Sequence, residues 1–489
     1  MKYTKVVRIT TSLFTALALP LSMAAQHTRY KLIDLGTFGG PNSFINGDAP
    51  PMINNKGAVA GAAETAIPCP YAGGFVSDGV LQPAFIWENG VLTNLGLLPG
   101  GCFTLPGSIN SKGMMVGSGD IGVIDDATGL PVIHADFRYK GQVLDLGTFG
   151  GSNSLASQVN DRGQVVGGAE NTDPDPWNFA GVTLGLPSPT AWHAFLWQAG
   201  GMRDLGTLGG PDSFAYSINQ NGQVAGFSFT NSTPNPTTGF PTLDPFLWDG
   251  KRMIDLGGLG GTASLVGGIN NQGQVAGISD TGGDQAAHGY LWQNGVLTDL
   301  GTLGGDNSDV AWINDAGQVI GRADLPDGTH HAVVWQSGTM IDLGTVGGDP
   351  CSNGHFINEK GQAVGTSTDC QGTILHTFLW DNGNMADLSA QVLPGSGFEA
   401  VDPVAINHAG EIVGNGTLLS GENHVVVLKP CASDCSPQLA SGLNTGSMPS
   451  RTTGNSKTAR EEMSKSPLDR LRAQFGERYR MLGSGKPTQ

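Results

Sequence analysis

Internal repetition constrains this chain more than any other feature. Residues 193–226, HAFLWQAGGMRDLGTLGGPDSFAYSINQNGQVAG, return in recognisable form almost from end to end. Each unit holds four short apolar segments separated by turn signals, a pattern of strand, turn and strand. In this copy the segments are 193–197, 201–205, 214–218 and 223–226. Four short strands per repeat make one blade of a β-propeller.

The turn between the last two segments has a mechanical signature. Asn219 can start a type I turn through its own side chain, and Gly222 can take the left-handed conformation that a following bulge needs. The same spacing stands at Asn54/Gly57, Asn110/Gly113, Asn160/Gly163, Asn270/Gly273, Asn314/Gly317, Asn358/Gly361 and Asn407/Gly410. Successive asparagines lie 56, 50, 59, 51, 44, 44 and 49 residues apart, a period that belongs to propellers and arrays. Most of the variation falls between the QVVG-type and FLW-type segments, so insertions gather on one face.

The ends argue for a ring. The first DLG segment, residues 30–36, has no FLW strand before it, and the last strand, residues 424–428, has no DLG segment after it. Each end supplies what the other lacks. The sequence therefore predicts an all-β fold, an eight-bladed propeller closed by pairing residues 30–35 with 424–428, which leaves no bare edge. Seven blades are the alternative if one hairpin is displaced.

The HAFLW, DLGTLGG and INxxGQVVG segments resemble the HAF family of bacterial extracellular repeats, and the likeness spans roughly residues 29–428. Individual copies drift: Asp136-Phe137-Arg138-Tyr139 and residues 425–428 depart from HAFLW, and Asp387-Leu388-Ser389 departs from DLG. The resemblance implies an exported repeat protein and carries over no catalytic residues.

Residues 1–25 read as a secretory signal, with Lys2, Lys5 and Arg8 before an apolar run and a small-residue cleavage site at 22–25. Secreted or periplasmic localisation follows, with no transmembrane segment in the mature chain. The propeller is assigned to 26–430, a disordered linker to 431–465, a short basic amphipathic helix to 466–483 and a tail to 484–489. The helix is read from Ser466-Pro467 and an apolar face of Leu468, Leu471, Phe475, Tyr479 and Leu482. Residues 431–489 hold nine Lys/Arg against five Asp/Glu, so the rest of the chain carries a formal charge of −21. Such a surface speaks against nucleic acid as a partner. The chain is read as a monomer whose partner is a protein or a glycan.

Six cysteines behind a signal suggest three disulfides. Cys351 and Cys370 lie about equally far from the Asn358/Gly361 turn, so antiparallel pairing places them opposite one another. Cys69 and Cys102 fall in loops on the same face of neighbouring blades, which leaves Cys431 with Cys435.

The HAF histidines His193, His288, His331, His376 and His424 occur one per blade, too dispersed for a shared metal, and are expected to hold neighbouring loops. The strand-end tryptophans Trp87, Trp197, Trp248, Trp292, Trp335 and Trp380 read as packing residues. The GG-x-[ND]-S stretches at Asn42-Ser43, Asn153-Ser154, Asp212-Ser213 and Asn307-Ser308 are placed around the channel mouth. What is left is Trp177 and Trp192 in the longest insertion, alongside Asn171, Asp173 and Asp175. Exposed aromatics beside carboxylates suit a sugar or peptide site, so Trp177, Trp192, Asp173 and Asp175 are the candidate ligand-binding residues. Asn171-x-Asp173-x-Asp175 also resembles the opening of a calcium loop, but Pro176 stands where the turn glycine belongs. No cofactor is otherwise implied. A GxGxxG spelling at Gly117, Gly119 and Gly122 precedes no helix, and neither G-x-S-x-G nor H-E-x-x-H occurs. The sequence thus favours a binding module acting through its loops. The alternatives are a carbohydrate-active enzyme with paired loop carboxylates, which leave no local spelling, or a structural envelope protein.

Overall fold

The computed structural model describes residues 29–439, apart from 48–50, 72–78, 127, 181–185, 187, 237 and 432–434. Among these residues the repeats form eight four-stranded antiparallel blades, and blades 4 and 5 share a single parallel pairing, Leu243 with Ala263. Blade 4 runs from the axis outward through Ser213–Ile218, Val224–Phe229, Leu243–Trp248 and Met253–Asp255. Its two inner strands are buried at every residue and the outermost is largely open. That gradient follows from neighbouring blades covering both faces of the inner strands, so these segments read as continuous small and apolar runs.

Seven of the eight inner strands carry a register shift shortly before the hairpin. In blade 4 it lies between Ala215 and Ser217 and brings the Phe214 carbonyl against Gly226. A Cβ on Gly226 would sit 2.1 Å from that oxygen and 2.7 Å from the Phe246 ring. The glycine of the QVxG segment therefore has no room for a side chain.

The hairpin asparagines do more than shape their own turns. Asn219 Oδ1 accepts the N–H groups of Asn221 and Gln223, while its Nδ2 donates to Gln223 Oε1 and, across to the next blade, to the Asn270 carbonyl at 3.0 Å. The inter-blade bond recurs from Asn54 to Asn110, Asn110 to Asn160, Asn160 to Asn219, Asn270 to Asn314, Asn314 to Asn358 and Asn358 to Asn407, at 2.8–3.1 Å. Asn407 then donates to the Asn54 carbonyl at 3.1 Å. Eight asparagines, each no more than 5% exposed, thus form one closed circle of hydrogen bonds, and the blade number is eight.

The termini meet as the sequence predicts. Arg29–Asp34 is the outer strand of blade 8, antiparallel to Asn423–Cys431, with Tyr30 opposite Pro430 and Ile33 opposite Val427. The chain then returns through the Cys431–Cys435 disulfide. Gln438 N donates to Leu32 O at 2.7 Å, and Gln438 O accepts from Asp34 N at 2.8 Å. Arg29–Asp34 is held on both edges, so the paired chain continues past residue 430, the boundary read from the sequence. The other two disulfides also form as expected: Cys69–Cys102 ties a loop of blade 1 to the linker entering blade 2, and Cys351–Cys370 spans blade 7. Cys370 lies two residues beyond Thr368, the strand partner of Cys351. No described helix is long and apolar enough to cross a membrane. The signal at 1–25 and the helix at 466–483 lie outside the described residues.

Two outcomes follow for stability. Asn219→Asp keeps the turn acceptor but sets an oxygen against the Asn270 carbonyl, so urea titration should show a loss as large as for Asn219→Ala, about 2–4 kcal/mol. A well-tolerated Asp would reduce the asparagine to a turn former. Removing residues 27–36 should lower the melting temperature of the whole ring; an unchanged value would contradict closure by the N-terminal strand.

Candidate functional site

The repeated polar residues turn out to hold the ring together. Five of the six HAF histidines face the DLG aspartate of their own blade: His193 Nδ1 lies 2.8 Å from Asp204 Oδ2, and Asp204 Oδ1 accepts the Gly206 N–H. His134–Asp145, His288–Asp299 and His331–Asp342 repeat the pair, and His424–Asp34 makes it across the termini. His376 turns to Asp349 instead. The partner is thus mostly a carboxylate on the adjacent outer strand rather than a loop. His134, eleven residues before Asp145, is a HAF histidine that the sequence reading missed. Burial pushes the Asp204 carboxyl up, but the bonds from His193 and Gly206 outweigh it and hold it below the usual carboxylate range.

The GG-x-[ND]-S stretches, at the entries to the inner strands, clamp the preceding blade. Asn153 Oδ1 accepts Ile133 N at 2.9 Å, Ser154 Oγ accepts Ala135 N at 2.9 Å, and Asn153 Nδ2 donates to Glu170 Oε1 at 2.8 Å. Asn42 and Ser43 grip Asn423 and Val425 in the same way, with Glu64 as the acid. Asn307 and Ser308 grip Ala287 and Gly289, with Asp324 as the acid. An amide on the clamp and an acid at the end of the second strand are a matched buried pair.

Blade 4 breaks this pattern twice. Asp212 replaces the clamp asparagine, and Phe229, next to the Ser228 that pairs with Ser213, stands where the acid should be. Asp212 Oδ1 still accepts Trp192 N at 2.8 Å, but Oδ2 is buried with no hydrogen-bond partner. Burial, reinforced by nearby Asp175, pushes this carboxyl up to about 8 despite the Trp192 N–H. The second break is Asp244, in the place of the HAF histidine and eleven residues before Asp255. Burial and then Asp255 push it up to about 6.

The long insertion of blade 3 lies beside this anomaly. Asp175 is buried, with Oδ1 accepting Trp177 N at 2.7 Å and Oδ2 accepting Phe179 N at 2.6 Å, which ties down the turn. Asp173 is exposed and donates its N–H to Asn171 Oδ1. The Asn171, Asp173 and Asp175 spacing thus folds as successive side-chain-capped turns. Phe179 packs on Phe227 and Phe229 of blade 4, with ring centroids 6.1 and 5.3 Å away. Trp177 is half-buried, 6.2 Å from Phe240 on the corresponding loop of blade 4. Trp192 is not the exposed aromatic that the sequence suggests. It is fully buried against Phe214, since it sits in the strand Thr190–Gln198 rather than in the loop. The indole N–H groups of Trp177 and Trp192 are both buried without a partner.

These residues make one locality. The insertion touches blade 4 through Phe179, Trp177 meets Phe240, and Asp212 is bonded to the Trp192 backbone. Asp212, Phe229 and Phe240 were not singled out as ligand-binding residues from sequence. Aligning the repeats would have exposed Phe229, which stands where blades 1, 2, 3, 5 and 6 carry Glu64, Asp120, Glu170, Asp280 and Asp324, whereas the position of Asp212 is an asparagine only in blades 1, 3 and 6. Among the described residues no group of three or more His, Cys, Asp or Glu side chains is placed to hold a metal ion.

No family model matches the chain, and no curated protein matches it either. Among solved structures, it is similar to the β-propeller domain of the Trilobed protease from Pyrococcus furiosus, with a TM-score of 0.38 at 11% identity over 63% of this chain and 85% of that one. It is similar to the acylaminoacyl peptidase of Pyrococcus horikoshii, with a TM-score of 0.42 at 12% identity over 78% and 59% of the two chains. The sialidase of Trypanosoma rangeli gives a TM-score of 0.31 at 11% identity over 76% of this chain and 58% of its own. Likeness at this level says nothing of activity.

The Asp212 anomaly has a pH signature. Its folded pKa lies above that of an unfolded aspartate, so the folded chain holds a proton that the unfolded chain releases. Its contribution is fully present below the ordinary pKa of about 4 and is lost as pH rises toward about 8. Asp212→Asn should therefore melt close to the parent at pH 4 to 5 and be more stable by about 1–3 kcal/mol at pH 8. Equal differences at both pH values would show that Asp212 does not hold this proton.

Proposed function

We propose that this chain is an exported recognition module of the HAF-repeat type, a rigid eight-bladed ring that binds its partner through the loops of its insertion face. The observation that carries the reading is the split between repeat and exception. The repeated asparagines, histidines, aspartates and serines are engaged in holding blades together, whereas the connections between second and third strands take no part in those joints and vary from blade to blade. Binding residues borne on variable loops over a stiff scaffold need no covalent chemistry. Exposed apolar side chains on other loops of that face, Ile67, Val123 and Leu419, extend the surface available for contact. The three disulfides favour an oxidising compartment, which agrees with secretion or a periplasmic home.

The enzyme reading has one observation in its favour. Asp212 and Asp175 are neighbouring carboxyls, the kind of pair that glycoside hydrolysis employs. Against it, Asp212 is fully buried, and both Asp175 oxygens are taken by backbone N–H groups. We therefore keep binding as the function.

The test is a screen of the full-length mature protein against glycan and peptide arrays, with mass spectrometry of the ligands afterwards. Retention of an intact ligand of either class supports the module. Cleaved ligand would replace it with an enzyme, and silence across both arrays would leave the structural role.

A further inference from the structure

We propose that residues 466–483 fold back on the ring and cover an arc of exposed apolar side chains on the insertion face of blades 7, 8, 1 and 2. The occupant of this surface is thus a segment of the same chain. The inference goes beyond the recognition reading and is tested without any outside ligand.

The first ground is where the exposed apolar side chains lie. Leu375 of blade 7, Leu419 of blade 8, Ile67 of blade 1, and Val123 and Ile124 of blade 2 stand in the second-to-third-strand connections or at the strand ends flanking them, and are 43–72% exposed. These four blades are consecutive around the closed ring. Among the described residues, the corresponding places in blades 3 to 6 hold no exposed large apolar side chain. There the apolar groups turn inward, as when Phe179 packs on Phe227 and Phe229. The arc is also tied together. Asn423 N donates to Asn42 Oδ1 and joins blade 8 to blade 1. The Cys69–Cys102 disulfide and the Cys102 N–H on Asp120 Oδ1 join the Ile67 loop to the strand that carries Val123. Cys351–Cys370 secures the connection that leads to Leu375. Apolar side chains gathered on one side of a ring mark a contact surface.

The second ground is the direction in which the chain leaves the ring. Arg29 pairs with Cys431 and Asp34 with Val426, so Arg29–Asp34 runs from the face of the asparagine hairpins toward the face that carries Leu419. Beyond the Cys431–Cys435 disulfide the chain runs parallel to it, with Gln438 opposite Ile33 and Leu439 packed on the core of blade 8. At Leu439 the chain therefore points at the insertion face. Ser466 follows after 26 residues. A chain of that length covers roughly 25–30 Å as a random coil, against about 14 Å across the four strands of a blade.

The third ground is complementarity. In sequence, residues 466–483 set Leu468, Leu471, Phe475, Tyr479 and Leu482 at helical spacing, with Arg470, Arg472, Arg478 and Arg480 among them. The described second-to-third-strand connections of blades 7, 8, 1 and 2 contain no Lys or Arg, and Asp369, Glu422, Asp125 and Asp126 stand beside the apolar residues. A basic segment with an apolar stripe finds both contacts there. A second copy would offer the same segment, but the tether gives the chain's own copy a far higher local concentration.

Limited trypsin digestion of the full mature chain, followed by mass spectrometry, reads the docking. Arg470, Arg472, Arg478 and Arg480 lie inside the segment, and Arg451, Lys457 and Arg460 precede it. The parent is compared with Leu471→Asp/Phe475→Asp, with Leu419→Glu, with Ile67→Glu, and with Val91→Glu and Val296→Glu, whose exposed side chains lie at the opposite ends of their blades. Melting temperature shows which ring variants remain folded, and either Leu419→Glu or Ile67→Glu suffices. The expected result is cleavage inside the segment about tenfold or more slower than before it, at any protein concentration. That protection should vanish in the double variant and in Leu419→Glu or Ile67→Glu, and persist in Val91→Glu and Val296→Glu. Equal cleavage of both stretches in the parent, or protection that ignores Leu419→Glu and Ile67→Glu, would overturn the docking and leave the recognition module standing. Protection that grows with protein concentration would overturn it in favour of a second copy.

Discussion

The bond from each hairpin asparagine to the next blade's carbonyl fixes the geometry of this protein. Blades of a propeller lack a continuous ladder between them, and apolar packing alone has no preferred number or register. A buried amide that must donate at about 3 Å supplies both. Asn407 finds the Asn54 carbonyl 353 residues away in sequence, so the last blade is held to the same spacing as all the others. A seven-bladed ring would strand one asparagine with its Nδ2 in the interior and no carbonyl to meet. Each residue also accepts from its own turn, so hairpin shape and blade spacing are set by one side chain and cannot drift independently.

That arrangement explains why repeat length varies on one face alone. The asparagine circle, the bulge pressed on the QVxG glycine and the clamp to the preceding blade all lie within or at the ends of the two inner strands. The connection from second to third strand belongs to none of them. It runs to 18 residues in blade 1 and 15 in blade 3 and shrinks elsewhere without disturbing a joint, and this freedom is what allows loops of different length to accumulate there.

What could be read from the sequence was whatever local register fixes. The hairpins, the closure of residues 30–35 on 424–428 and all three disulfides needed only turn position and the alternation of strands. The joints between blades were harder, because their partners lie some twenty to fifty residues apart and no pattern in one repeat points to the next. The histidine partners were within reach: eleven residues separate His134 from Asp145 and His193 from Asp204, as two strands and a tight turn require. Blade 2 hid that spacing, since its third strand reads HADFRY and the eye takes Asp136 to Tyr139 as a damaged HAFLW. In the folded chain His134 holds the histidine place, and Asp136 with Arg138 forms an ion pair, 1% exposed or less, where other blades put phenylalanine and tryptophan. Trp192 was misplaced for a related reason: loop and strand cannot be told apart at the end of an insertion whose return point is unknown.

A repeat protein carries its own controls, and that gives departures a meaning they lack in a chain of unique elements. A residue shared by the blades can be assigned to the ring with some security, since the ring is what the blades have in common. Asp136 with Arg138 departs from the pattern but satisfies itself, each charge meeting the other and the guanidinium also reaching Thr104. Asp212 with Phe229 departs without satisfying itself. The loss of one half of a buried polar pair normally destabilises more than the loss of both, so such a pairing is a poor way to build a joint. It lies beside the insertion of blade 3, fully buried, with Asp212 held by the Trp192 N–H.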